Sequence, residues 1–172
     1  MSIAPQIVSY LNDANIAYNL IHHKITKTAF DSAHSAHLPT SNVVKSVLLQ
    51  DTVDNQYVVA LVPANHRVNL APVNKLLNRN LVLANFTDAN KLFTDCSSGV
   101  VPGLVQAYNV ELIWDLELKV QKDLYLEAGN HQHLIHVNNQ QFMQLFEHYP
   151  SGLISSLMDY YASQKSPYER LH

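Results

Sequence analysis

The residues best placed by type and spacing to do chemistry gather around Lys45, in the stretch "SNVVKSVLLQ" (41–50). Val43, Val44, Val47, Leu48 and Leu49 read as a strand buried on both faces. A cation inside such a run is costly unless it reaches water by its stem or meets an anion. Lys45 is therefore either a snorkelling residue at a strand end or edge, or an amine aimed into a pocket that receives negative charge. Three further stretches end strands in small, polar or glycine-containing residues, the composition from which pocket walls are commonly built. "VPANHRVNL" (62–70) supplies Asn65 and His66; "CSSGVVPG" (96–103) supplies Gly99, Val100, Val101, Pro102 and Gly103; "EAGNH" (127–131) ends in His131. His22 and His23 close an earlier apolar run, "IAYNLIHH" (16–23).

Such residues can bind anions, donate to an oxygen and fix a water, but they contain no ready nucleophile. Only four glycines occur, without the spacing of a nucleotide-phosphate loop, and neither G-x-S-x-G nor H-E-x-x-H is present. Ten histidines raise the question of metal, and "NHQHLIH" offers His131, His133 and His136. No cysteine or carboxylate of ligand spacing completes a set, so neither metal nor cofactor is expected. Cys96 is alone, which excludes an internal disulfide and suits a reducing compartment. With no basic neighbour in "TDCSSG" it reads as a structural thiol.

The elements that must position these residues follow from periodicity. Residues 3–14 have helical apolar spacing, 16–23 and "VVKSVLLQ" and "QYVVALVP" read as strands, and "DTVDN" joins the last two as a hairpin. "TAFDSAHSAHL" (28–38), "APVNKLLN" (71–78) and "TDANKLF" (87–93) read as helices, the last with Thr87 or Asp88 as cap. "LVLA", "VELIWD", "LYLEAG" and "LIHV" are strands, followed by the helix "NNQQFMQLFEHY" (138–149). "LISSLMDYYASQ" reads as an appended C-terminal helix spanning 150–164, with an apolar stripe that either closes the core or makes a dimer face. The irregular mixture predicts an α/β (α+β) fold: a mixed, largely antiparallel sheet with packed helices, in one domain covering 1–172.

Composition agrees with a folded enzyme-sized domain: 47% hydrophobic and 15% charged residues argue against disorder. No apolar run approaches the roughly 18–20 residues of a membrane span, and the N-terminus carries no basic leader, so a cytoplasmic protein is expected. A net charge of −3 excludes a protein that grips long nucleic acid through its phosphates. Any nucleic-acid contact must be small and local.

Taken together, "VVKSVLL", "VPANHRVNL", "GVVPG" and "LYLEAGNHQHLIHV" resemble, in order and spacing, the YbaK/aminoacyl-tRNA synthetase-associated domain family. These are free-standing relatives of the editing insertion domain of prolyl-tRNA synthetase, and the resemblance covers 8–147. One departure falls in the glycine loop, where the family's G-x-x-x-P proline is replaced by Gly103 and Pro102 lies one residue early. The resemblance implies hydrolysis of the ester joining a wrong small amino acid to transfer RNA, most often prolyl-tRNA. It also implies a partner, the acceptor end of that RNA, and association with prolyl-tRNA synthetase or another synthetase, as monomer or dimer. In this scheme Lys45 faces phosphate or ribose of the terminal adenosine, and backbone around Gly99, Val100, Val101 and Pro102 holds the carbonyl and water. His22, His23, Asn65, His66, Gly103 and His131 line the substrate site, with Asp115 a more distant candidate. The alternative from another class is a tRNA- or synthetase-binding module that keeps the fold without efficient hydrolysis.

Overall fold

The computed structural model describes residues 3–158. Helix α1 (Pro5–Asp13) begins with proline at its first position, where no intrahelical N–H is needed, and buries Ile7 and Leu11. Strand β1 (Asn19–His22) and helix α2 (Ala29–Ser35) follow; Thr28 caps α2 through its hydroxyl, which accepts from Asp31 N–H. Strands β2 (Val44–Asp51) and β3 (Tyr57–Pro63) form the expected antiparallel hairpin over the acidic loop, with Val47 opposite Ala60. Next come β4 (His66–Val68), α3 (Leu70–Leu77), β5 (Leu81–Leu83) and the single turn α4 (Ala89–Leu92). Strands β6 (Glu111–Asp115), β7 (Asp123–Glu127) and β8 (His133–Asn138) lead into α5 (Asn139–Phe146). A capping box of Asn138 and Gln141 fixes the start of α5.

The fold is mixed α/β with mostly antiparallel pairing, as expected, but the strands divide among three sheets. The largest has the order β5-β2-β3-β6-β9, where β9 is Ser151–Gly152, and contains the parallel pairs β3–β6 and β6–β9. A second, β1-β8-β7, is antiparallel throughout. A single bridge between Val43 and Tyr125, with Tyr125 N–H donating to the Asn42 carbonyl at 3.0 Å, joins the start of β2 to the second sheet. The main core lies between one face of the large sheet and α1 and α5. It holds Ile7, Leu11, Val59, Leu61, Trp114, Phe142 and Phe146, each such side chain stabilising the fold by about 1.5–3 kcal/mol relative to exposure. Trp114 packs edge-on against Phe142 with ring centres 5.6 Å apart and donates its indole N–H to the Phe146 carbonyl at 2.9 Å. The opposite face of the large sheet, including Leu49, Val58, Ala60 and Val62, is covered by α3 through Val73.

Two local expectations are corrected. The segment read as an appended helix over 150–164 is extended where described: β9 (Ser151–Gly152) pairs with β6, and β10 (Ser155–Leu157) pairs antiparallel with β4. Residues 159–164 of that reading lie outside the described residues. The extended segment serves Asp115, fully buried, whose Oδ2 accepts from Ile154 N–H at 3.0 Å and from Ser155 Oγ at 2.6 Å. A buried carboxyl group requires such donors, and pairing with β4 and β6 satisfies the segment's backbone at the same time. The helix read at 87–93 is a 3₁₀ turn (Phe86–Asp88) running into α4, and Asp88 occupies the N-cap position of α4 as expected but makes no capping hydrogen bond with its side chain. The Asp88 carboxylate instead takes Lys91 Nζ at 3.2 Å.

Candidate functional site

A cavity of about 390 Å³ opens beside β2. Its position follows from the sheet. Strand β5 pairs with Leu49–Asp51 only, and the Ala84 N–H to Leu48 carbonyl bond closes that ladder. Backbone groups in an antiparallel strand alternate sides, so the N–H and C=O of Ser46 turn the same way as the Leu48 carbonyl. There they meet the cavity, whose wall includes the whole of Val43–Leu48. An open strand edge thus forms one wall, with backbone donors and acceptors available to a ligand. Gly99, Val100 and Val101 form a second wall, Leu83, Ala84 and Phe86 a rim, and Thr28, Ala29 and Ser32 of the α2 region a third side.

Gly99 has φ +77°, a conformation that L side chains rarely adopt, and a Cβ added there would sit 3.2 Å from the Phe86 ring. Asn90, which the sequence reading did not single out, holds this loop: its Oδ1 accepts from Gly99 N–H at 2.7 Å and its Nδ2 donates to Ser98 Oγ at 3.3 Å. Ser46 ties the same loop to β2 by donating from Oγ to the Pro102 carbonyl at 3.0 Å. Pro102 is buried behind the loop and contributes that carbonyl in place of a cavity-facing surface. Gly103 is buried too; its N–H donates to the Glu127 carbonyl at 3.0 Å, and an added Cβ would lie 2.6 Å from Leu126 Cβ. A side chain at position 103 would therefore clash with β7, and hydrogen bonds from Ser46, Asn90 and Gly103 fix the loop.

Lys45 lines the cavity, half-buried, and its Nζ donates to the His66 carbonyl. A neutral carbonyl leaves the charge uncompensated, however, and no Asp or Glu pairs with Lys45 among the described residues. Burial, and then the nearby Arg67, hold its amine below the ordinary lysine range. His66 is itself positioned by the C-terminal strands. Ser155 Oγ donates to Asp115, so toward His66 Nδ1, 2.8 Å away, it acts as acceptor, which puts the proton on Nδ1. Asp115, which does not line the cavity, thus holds Ser155 against the ring of His66, the residue whose carbonyl accepts from Lys45.

Of the other residues singled out from sequence, His131 lines the cavity and the rest do not. His22 is exposed on β1 with its ring 5.0 Å from that of His133. His23 is buried with Nδ1 2.6 Å from the Lys24 carbonyl and Nε2 without a partner. Asn65 lies in the turn between β3 and β4 with Oδ1 unpaired. His22 ends β1 and Asn65 sits in the β3–β4 turn, and neither is among the residues of the cavity wall. Three or more His, Cys, Asp or Glu do not converge on one point among the described residues. Burial pushes the Cys96 thiol up to about 11, with its Sγ 3.4 Å from Tyr108 OH, the environment of an inert thiol. Glu127, Lys27 and Ser32 are cavity residues that motif reading passed over, because nothing local marks them; Glu127 was quoted only inside "EAGNH".

No curated protein matches the chain closely enough to count as a relative. Among solved structures, a hypothetical protein, APE2540, superposes with a TM-score of 0.76 at 18% identity, covering 88% of this chain and 99% of the other. A candidate trans-editing enzyme for prolyl tRNA synthetase superposes with a TM-score of 0.75 at 16% identity, covering 90% of this chain and 99% of the other. A candidate signal transduction protein from Marinobacter aquaeolei contains the same fold within a longer chain, with a TM-score of 0.69, 17% identity and coverage of 90% and 31%. At these identities the superpositions establish the fold alone. The aminoacyl-tRNA editing domain model, in contrast, matches the sequence itself over residues 23–145, a stretch that holds β2, the glycine loop and every residue of the cavity wall. By that match the chain belongs to the aminoacyl-tRNA editing domain family.

Proposed function

We propose that the protein is a trans-editing deacylase that hydrolyses the ester of mischarged transfer RNA, with prolyl-tRNA carrying a wrong small amino acid as the first substrate to test. The observation that carries this reading is the convergence of Lys45, the open edge of β2 and the Gly99–Val101 loop on one cavity. An aminoacyl ester is activated already. Its hydrolysis asks for a positioned water, donors for the carbonyl oxygen as it gains charge, and a pocket of suitable size. The N–H and C=O of Ser46 on the open β2 edge suit the first two needs without a nucleophilic side chain, while the Gly99 and Val100 N–H groups, engaged by Asn90 Oδ1 and the Ser97 carbonyl, hold the loop in place. Lys45, a cation without a counter-ion, suits the phosphate or ribose of the terminal nucleotide. Small apolar walls from Val43, Val44, Ala29 and Leu134 suit a small side chain. A chain of net charge −3 fits a contact restricted to the acceptor end.

The test is a panel of transfer RNAs charged with different amino acids, scored for hydrolysis above the spontaneous rate. Faster release of one or a few small amino acids is the expected result. Binding of charged RNA without release of any amino acid would instead establish the non-hydrolysing module and overturn the deacylase.

A further inference from the structure

Glu127 is the one carboxylate on the cavity wall among the described residues. It ends β7 opposite Leu134 of β8, and the turn that follows folds back onto it. Its Oε1 accepts from Gly129 N–H at 2.8 Å, Asn130 N–H at 3.0 Å and His131 N–H at 3.1 Å. Three backbone donors fix the side chain in one orientation. Its second oxygen has no hydrogen-bond or ion-pair partner among the described residues, although Lys27 stands on the same cavity wall. An oriented carboxylate with a free oxygen in a half-apolar cavity is a receptor for a cation.

We infer that Glu127 binds the α-ammonium group of the aminoacyl moiety and so sets which way the ester enters the cavity. The inference rests on the deacylase reading and adds to it a residue that positions the substrate. An α-amino group, with an ordinary pKa of about 7.7–8.0, is largely cationic at neutral pH. The aminoacyl end of the substrate is then positive and the nucleotide end negative, and the cavity offers one carboxylate and one uncompensated lysine to match them. Opposite charges at the two ends exclude the reversed orientation, which would bring phosphate to Glu127. The consequence is discrimination against esters whose amine is blocked.

The experiment crosses a variant with a substrate change, using the full chain and the charged RNA it hydrolyses fastest. Glu127→Gln retains an oxygen to accept the three N–H groups and removes the charge; N-acetylation of the aminoacyl group removes the cation. The parent is expected to lose about ten- to a hundredfold in kcat/KM on N-acetylation, the scale of one charge-assisted contact. Glu127→Gln is expected to lose a similar factor with the free amine and to change little with the acetylated one. Equal loss on both substrates would reduce Glu127 to a scaffold for its turn and overturn the inference. So would a parent that hydrolyses both substrates equally fast, a measurement that needs no variant. A parent inactive on the whole panel, by contrast, refutes the deacylase reading itself.

Discussion

Replacing Gly103 with proline tests how the glycine loop is held. The family motif has proline at this position, so sequence reasoning alone expects Gly103→Pro to stiffen the loop and raise activity. The structure predicts the opposite. Proline removes the N–H that donates to the Glu127 carbonyl at 3.0 Å, and its Cβ would fall 2.6 Å from Leu126 Cβ and 3.2 Å from Leu126 Cα. Backbone on β7 cannot yield as a flexible side chain would. The lost hydrogen bond costs about 0.5–1.5 kcal/mol and the forced overpacking about 1–3 kcal/mol, together about 1.5–4.5 kcal/mol. At about 2–4 °C per kcal/mol for a chain of this size, the Tm should fall by roughly 3–18 °C. Thermal unfolding followed by circular dichroism measures it. Gly103→Ala shares the steric conflict and keeps the N–H, so it should lie between parent and proline variant. Deacylation by Gly103→Pro should fall as well, since the displaced strand carries Glu127. A proline variant as stable as the parent, or more active, would refute the reasoning.

Lys45→Ala should lower kcat/KM by about 1.5–3 kcal/mol, ten- to a hundredfold, with subsaturating mischarged RNA as substrate; an unchanged rate would make Lys45 a mere strand residue. Lys45→Met should stabilise the fold at pH 7, because the folded state holds the amine below its ordinary value and so disfavours the charged form. The unfolded chain then binds the proton more tightly, parent stability rises with pH toward the ordinary lysine range, and the Tm gap between variant and parent should shrink there; a gap independent of pH contradicts this. Arg79 lowers the Asp51 carboxyl, chiefly through its hydrogen bond at 2.5 Å, so that stability is present above the ordinary carboxylate range and fades as pH falls below it. Arg79→Met should therefore lower the Tm at pH 7 more than at pH 3, and equal losses at both would exclude the linkage. Phe86 is 71% exposed on the cavity rim against Gly99, and stacking of a terminal base on it, worth about 1–3 kcal/mol, predicts a raised KM for Phe86→Ala and near-parent behaviour for Phe86→Tyr; an unaltered KM removes the ring from the site.

Much of this was legible in the chain. The β-branched runs on either side of "DTVDN" specify β2 and β3, and their register places Lys45 opposite Val62. Gly99 stands in the glycine loop that the sequence marks as a pocket wall, and it lines the cavity with a φ of +77°. Residues that act through distant neighbours were not legible. Nothing in "TDANKLF" shows that Asn90 reaches Gly99, nine residues on, and nothing in "LISSL" shows that Ser155 meets Asp115 forty residues earlier. The apolar stripe of 153–158 has helical spacing, yet pairing with β4 and the buried carboxylate prevailed. Local pattern weighs residues singly, whereas an unsatisfied buried charge weighs against the whole fold.

The clasp of Asp115 on Ile154 and Ser155 has a bearing on where the unit of folding in this chain ends. The matched stretch stops at 145, but a chain cut there would forfeit both distant donors to Asp115 and leave it, among the described residues, the Glu117 N–H alone. Leaving a buried acceptor without a partner typically costs about 1–3 kcal/mol, a large share of a domain's stability. The strands beyond the matched stretch therefore belong to the same cooperative unit as β6, and they and the acid at position 115 stand or fall together.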